Sequence, residues 1–253
     1  MNILDIQNLE KYYKLRNKEK NKVLQGINLQ VEKGEMIAIM GPSGSGKTTL
    51  LNILSGIDSA DNGRVLFNEN DLIQMNKSEL ALYRRQNMGL VFQEYNLIDS
   101  LTVKENIMLP MILEKKELEE MEAKAVKLAE LLGITDILDK NIYDISGGQK
   151  QRVAICRALV NEPSIIFADE PTGNLDSKST KDVMNYLTKI NENFGTSILL
   201  VTHDSFAASY CKRVVLLQDG RIISDISKKA SRKEFFHEIL EVISLIGGDF
   251  DEF

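Results

Sequence analysis

Residues Gly41-Pro42-Ser43-Gly44-Ser45-Gly46-Lys47-Thr48 fit the pattern G-x-x-x-x-G-K-[ST], and they follow an apolar run, Met36-Ile37-Ala38-Ile39-Met40, that reads as a buried strand. The chemistry this spacing serves is phosphate binding. Glycines let the backbone fold tightly, so successive N–H groups and a helix N-terminus point at one spot where a triphosphate's charge is best stabilised. Lys47 adds a mobile cation between the β- and γ-phosphates, the Thr48 hydroxyl is placed to ligate the Mg²⁺ that travels with the nucleotide, and Thr49 continues the contact surface into the helix. A second acidic feature lies far along the chain. Ile165-Ile166-Phe167-Ala168-Asp169-Glu170 reads as a buried strand ending in two carboxylates. Asp169 is placed to hold Mg²⁺, directly or through water, and Glu170 to polarise the water that attacks the γ-phosphate. An Asp-Glu pair after a strand also serves as a helix N-cap with a favourable dipole interaction. The phosphate loop in the same chain favours the hydrolytic reading.

Both features need a rigid sheet whose strand ends lie together, and the chain supplies strand-like runs in sequence. These are Ile3–Asn8, Gly26–Val31, Met36–Met40, Arg64–Phe67, Met88–Phe92, Ser164–Ala168, Ser197–Val201 and Arg213–Leu217. Helical patterns interleave with the later ones: Thr48–Leu54 opens one, and Val183, Met184, Leu187 and Ile190 recur at helical spacing in another that starts after Asp176. The alternation predicts an α/β fold with a mostly parallel sheet flanked by helices, where ligands bind at the strand ends. Between Gln93 and about Leu159 the strands stop. Leu118, Met121, Ala125, Leu128 and Leu132 share one helical face there, so this stretch reads as a helical subdomain inserted between two strands.

Composition sets outer limits. The chain has 253 residues, 43% hydrophobic and 27% charged, which suits one large folding unit or a core with a subdomain. Its longest apolar stretches, such as Ile198-Leu199-Leu200-Val201, are strand-length, so no membrane span is expected. A net charge of −6 and a pI near 5.2 argue against nucleic acid as a partner. No secretion signal is evident, and Cys156 and Cys211 are too few and too far apart for a disulfide framework, which points to a reducing, cytoplasmic setting.

Ile145-Ser146-Gly147-Gly148-Gln149-Lys150-Gln151-Arg152, just before a helix, resembles the signature motif of ATP-binding-cassette (ABC) ATPases, usually Leu-Ser-Gly-Gly-Gln. It is a second phosphate-facing site in physical terms. Ser146 caps the helix and the glycines expose backbone N–H groups, but no lysine stands in the motif to hold a phosphate alone. The resemblance implies that two cassettes pack head to tail, so that Ser146, Gly147, Gly148 and Gln149 close over ATP held by the other copy's Gly41, Ser43, Gly44, Ser45, Gly46, Lys47, Thr48 and Thr49. This chain has one cassette, so the second must come from another chain. The resemblance carries over further positions. Tyr13 is similar to the aromatic residue that stacks on adenine, with Tyr12 beside it as the alternative. Gln93 matches the glutamine that touches Mg²⁺ and the attacking water. Asn174-Leu175-Asp176 resembles the loop that crosses the dimer interface. His203, directly after a strand, matches the switch histidine that contacts the γ-phosphate and orients Glu170; His237, on a late helix, has no such company and reads as a surface residue.

These pieces occur in a fixed order over residues 1–222, and the resemblance implies a P-loop NTPase fold of the ABC ATPase type with an antiparallel β portion. The cassette divides into a core, 1–92 and 160–222, and a helical subdomain at about 93–159; residues 223–253 form an extension. Departures are small: Ile145 replaces a leucine, Lys150 a glutamine and Cys156 an alanine. Asn76-Lys77-Ser78-Glu79 superficially matches the guanine-reading Asn-Lys-x-Asp but ends in Glu and lies too early, so ATP is the expected nucleotide. Glu35–Met40, Asn52–Asp58 and Ala168–Asp176 are similar to the macrolide-efflux, lipoprotein-release and antimicrobial-peptide-resistance group, and overall similarity favours the bacitracin-type branch. Such a chain is an ATP hydrolase on the inner face of a membrane, attached through an integral permease that it drives to export or remove a peptide or other amphiphile. A cell-division or lipoprotein-release ATPase with a non-export partner is the alternative. A DNA-repair relative would insert long heptads between loop and signature, and a translation-associated one would carry two cassettes.

Two segments lie outside these motifs. Lys14–Lys22 is charge-dense and reads as a solvated loop, with an anionic lipid surface or a coupling helix as the sharper option. Ser231–Ile246 opens with the capping box Ser-x-x-Glu and repeats Phe235, Phe236, Ile239, Leu240, Ile243 and Ile246 along a helix that docks on its own cassette or on a partner. Acidic Gly247–Phe253 is left unassigned.

Overall fold

The computed structural model describes residues 1–14 and 20–246. Residues 15–19, within the charge-dense segment, and 247–253 lie outside the described residues. In chain order the elements are β1 (Asn2–Lys14), β2 (Lys20–Glu32), β3 (Met36–Met40), α1 (Lys47–Leu54), β4 (Asn62–Phe67), β5 (Asn70–Asp71), α2 (Lys77–Asn87) and β6 (Met88–Phe92). A helical layer follows with α3 (Val103–Leu113), α4 (Leu118–Leu131) and α5 (Gly147–Leu159). The chain then returns through β7 (Ile165–Asp169), α6 (Ser177–Phe194), β8 (Ser197–Val201), α7 (Ser205–Ala208), β9 (Arg213–Gln218), β10 (Arg221–Ser227) and α8 (Arg232–Leu245).

Two sheets form. One is antiparallel, in the order β2-β1-β4-β5; the other runs β10-β9-β3-β8-β7-β6, parallel throughout except for β10. Central strands of the second sheet are covered on both faces, which is why they read as continuous apolar runs rather than as alternating ones. Side chains still alternate in destination. Ile37, Ile39, Phe167, Leu199 and Val215 pack with α1 and the antiparallel sheet, whereas Ala38, Met40, Ala168, Leu200 and Val214 pack with the helical side.

Capping boxes start four helices: Asn76 with Glu79, Thr102 with Glu105, Ser146 with Gln149, and Ser231 with Glu234. The first of these is the role of Asn76–Glu79, which starts α2, a helix with no buried residue that hydrophobic periodicity could not reveal. Further corrections concern faces and lengths. Leu118 is 60% exposed while Met121, Ala125 and Leu132 are buried, since Leu118 sits at the open first turn of α4. On α8, Phe235, Ile239 and Ile243 are buried, but Leu240 is 41% exposed, so the docking stripe follows i, i+4, i+8 and is narrower than the apolar pattern. That stripe packs on the cassette's own core, next to α7. β1 and β2 run well past Ile3–Asn8 and Gly26–Val31, held by antiparallel pairing that reaches Lys14↔Lys20. β10, whose burial alternates between exposed and half-buried, runs across residue 222.

Candidate functional site

Parallel pairing brings four loops to one edge. The order β3-β8-β7-β6 sets the ends of these strands side by side, so the segments beginning at Gly41, Thr202, Glu170 and Gln93 are neighbours in space although they are far apart in sequence. Registers fix the details: Asp169 lies opposite Val201 on one side and Phe92 on the other. Gln93 therefore leaves β6 beside Glu170.

The loop after β3 is built for close backbone approach. A Cβ on Gly41 would stand 2.0 Å from the Leu217 carbonyl oxygen, and Gly46, the residue before α1, has φ +104, a conformation that side chains resist. Lys47 is buried, and its ammonium donates to the carbonyls of Gly41 (2.7 Å) and Pro42 (2.9 Å). Burial lowers its pKa, with Glu170 and Asp169 opposing that shift. The Ser45 hydroxyl is buried with no hydrogen-bond partner among the described residues, as expected of a group that an incoming phosphate oxygen satisfies. Ser43 and Gly44 are exposed at the loop's tip.

Thr48 Oγ1 donates to Asp169 Oδ1 at 3.3 Å, bringing the two expected Mg²⁺ ligands together from α1 and β7. Burial and then the neighbouring Glu170 push the Asp169 carboxyl up, so a cation here would relieve a crowded negative pair. A hydroxyl and one carboxylate suit Mg²⁺, which keeps several waters and takes phosphate oxygens rather than a full protein cage. Glu170 has φ +45, left-handed for a residue with a Cβ, and this costs about 1 kcal/mol. Its N–H donates to the Val201 carbonyl (2.9 Å) and its carbonyl accepts from Gly173 (3.0 Å), which pins the strained backbone. His203 Nδ1 lies 3.0 Å from Glu170 Oε1. Gln93 Nε2 donates to Asn174 Oδ1 (3.4 Å) while Asn174 Nδ2 donates to the Gln93 carbonyl (3.2 Å), so the amide faces the crossing loop here and makes no hydrogen bond to Thr48 or Asp169.

Beside the first turn of α1, Tyr13 OH donates to Asp58 Oδ2 (2.7 Å) and hydrogen-bonds Thr49. Tyr12 faces the other way: its hydroxyl donates to Glu10 (3.0 Å), and Lys20 and Lys22 lie over its ring. Tyr13 is thus the tyrosine next to the phosphate loop. Lys11, buried, sits 5.1 Å from the Tyr13 ring centroid and pairs with Asp58 at 2.8 Å. Sequence reasoning missed Lys11 and Asp58. The spacing of two between Lys11 and Tyr13 on a strand, which puts both on one face, was the available signal.

The signature shares no hydrogen bond with these groups among the described residues. Ser146 is exposed and caps α5, accepting from the Gln149 N–H at 3.3 Å, while its own N–H donates to Gln149 Oε1 at 2.9 Å. Gly147 and Gly148 pack tightly: a Cβ on the first would meet Tyr95 OH at 3.0 Å, and on the second Ser179 Oγ at 2.9 Å.

Comparison with known proteins places the chain in a family. Residues 24–173 match the ABC transporter family. The chain is 50% identical over 254 aligned positions to the ABC transporter ATP-binding protein YvcR of Bacillus subtilis, spanning 100% of this chain and 98% of that one. It is 48% identical over 249 positions to the bacitracin export ATP-binding protein BceA of Halalkalibacterium halodurans, covering 98% of each. Among solved structures, the dimeric post-hydrolysis state of the cassette MJ0796 bound to ADP and Pi superimposes with a TM-score of 0.84 at 37% identity, covering 90% of this chain and 99% of that one. With its phosphate loop, acidic strand end and signature helix in place, the chain belongs to the ABC transporter family as an ATP-binding, ATP-hydrolysing subunit.

Proposed function

We propose that this chain powers the export or removal of an antimicrobial peptide or other amphiphile, acting as an ATP-dependent head-to-tail pair on the inner face of a membrane through a permease partner. The observation that carries the pairing is the division of the pocket within one chain: Lys47 and the acids stand at one edge, while Ser146–Gln149 opens a separate helix N-terminus with no lysine in the motif. A second copy completes each pocket. The peptide substrate class rests on the 48% identity to a bacitracin export ATPase across nearly the whole chain. No helix among the described residues is long and apolar enough to cross a membrane, so the path for cargo is assigned to the permease.

The N–H groups of the loop and Lys47 hold the ATP phosphates, with Tyr13 stacked on adenine. Thr48, Asp169 and Gln93 would hold Mg²⁺, which would neutralise charge on the phosphates. Glu170 accepts a hydrogen bond from the attacking water and pulls electron density toward the γ-phosphorus, His203 keeps Glu170 in place, and the partner's signature motif lends N–H donors to the γ-phosphate. Loss of phosphate removes the shared ligand, the pair reopens, and that motion pulls on the permease. The test is to purify the chain with the permease it captures, reconstitute both in lipid, and measure ATP turnover with and without bacitracin-like peptide. Turnover set by the permease and stimulated by peptide supports the proposal; a rate indifferent to both contradicts it.

A further inference from the structure

After Gln93 the chain turns through Glu94, Tyr95 and Asn96 into the helical layer. Tyr95 and Asn96 have φ of +62° and +47°, two consecutive residues in the left-handed region, neither of them glycine. Such a pair persists only where its surroundings over-determine it. What holds it comes from α5. Arg157, in that helix's last turn, donates through Nη2 to the Tyr95 carbonyl (2.8 Å) and through Nη1 to the Asn96 carbonyl (2.6 Å). No carboxylate pairs with Arg157 among the described residues, so a half-buried guanidinium is committed to two backbone oxygens. The planar guanidinium fork presents two N–H groups side by side, which suits it to hold two successive carbonyls at once.

The other end of α5 is the signature. A Cβ on Gly147 would stand 3.0 Å from the Tyr95 hydroxyl, so Tyr95 touches the first turn of α5 with its side chain while its carbonyl is held from the last turn. Gln93, just before this turn, exchanges hydrogen bonds with Asn174 of the crossing loop. One helix therefore grips the segment that carries a residue of the chain's own site and presents the face offered to a second copy.

We propose that Arg157 is a positioning residue that clamps the left-handed Tyr95–Asn96 turn and so fixes Gln93 relative to the signature helix, linking the chain's own hydrolytic site to the surface it gives its partner. Arg157 touches no nucleotide. The inference rests on the reading that Gln93 serves hydrolysis, and the experiment separates the two. ATP turnover, KM, equilibrium binding of a fluorescent ATP analogue and thermal unfolding are measured on the 253-residue chain for Arg157→Lys, Arg157→Ala, Asn96→Gly, Gln93→Ala and their doubles.

Arg157→Lys is expected to lower kcat about tenfold with analogue binding and KM within about twofold, because one of two charge-assisted hydrogen bonds is lost away from the phosphates. Asn96→Gly in that background restores most of the loss, since glycine keeps a positive φ without the clamp. Arg157→Lys adds little to Gln93→Ala, because both act through one side chain. Arg157→Lys with unchanged kcat overturns the proposal. So do binding that falls in step with kcat, full additivity with Gln93→Ala, and a lowered melting temperature that Asn96→Gly leaves without kinetic rescue. If Gln93→Ala alone keeps full turnover, the reading of Gln93 falls and this inference falls with it. Should Arg157→Ala fail to fold, the lysine and glycine variants still decide the matter.

Discussion

Replacing His203 with alanine removes its contact with Glu170, the acid proposed to activate water. In the structure His203 Nδ1 lies 3.0 Å from Glu170 Oε1, and Glu170 occupies a left-handed backbone conformation that its neighbours must hold. The His203 side chain is 52% exposed, so water replaces part of what is removed. A hydrogen bond to a charged group contributes about 1.5–3 kcal/mol, and the lower part of that range, about 1.5–2 kcal/mol, suits this exposure; at about 1.4 kcal/mol per decade it corresponds to a roughly 10- to 30-fold loss of rate. The loss falls on kcat, because Lys47 and the loop N–H groups proposed to hold the phosphates are untouched. Steady-state ATP hydrolysis with a parallel nucleotide-binding titration measures it. His203→Gln, which retains a donor of similar reach, loses less. A His203→Ala enzyme with kcat within about threefold of the parent and a raised KM refutes the reasoning, since the histidine would then serve binding rather than Glu170.

Further outcomes follow from other parts of the site and fold. Tyr13→Leu weakens ATP binding roughly 10- to 100-fold, the scale of one base–aromatic stack, whereas Tyr12→Leu changes it by less than about twofold; a reversed ranking in a binding titration contradicts the placement of Tyr13 beside Thr49. Phe235→Ala removes a fully buried ring from α8 and costs about 3–5 kcal/mol, or roughly 6–20 °C in melting temperature, while half-buried Phe236→Ala loses less than a third of that; equal small shifts would show that α8 is not part of the core. Lys22, then Asn62 and Tyr12, hold the Glu10 carboxyl down at about 2, against an ordinary 4.5. The stability this gives is complete above about pH 4.5 and is lost as pH falls toward 2, so Glu10→Gln flattens that limb of an acid-unfolding curve and leaves pH 7 to 9 behaviour parallel to the parent.

The candidate site was legible where chemistry forces local spacing. The phosphate loop, the Asp169-Glu170 strand end and the signature each carry their chemistry within a few consecutive residues, and apolar runs such as Ile198–Val201 betray strands buried on both faces. What the chain hid was of three kinds. α2 has no apolar stripe and starts from a capping box in a stretch that looked like a base-reading motif. β10 pairs at the edge of a sheet, and its side chains alternate between exposed and half-buried, so no apolar run marks it. Lys11, Asp58 and Arg157 act through long-range contacts, such as Lys11 with Asp58 and Arg157 with the carbonyls of Tyr95 and Asn96, and a carbonyl acceptor leaves no trace in side-chain identity.

The proposed pocket is shared by two copies. Glu170→Gln keeps the phosphate loop and signature but removes the carboxylate proposed to activate water, so in ATP it should accumulate as a dimer that adding Ser146→Arg disperses. Light scattering of these two proteins with and without ATP reads this directly. Dimer only with ATP and only with Ser146 intact is the predicted result; a Glu170→Gln chain that stays monomeric in saturating ATP, or a dimer indifferent to Ser146→Arg, contradicts it.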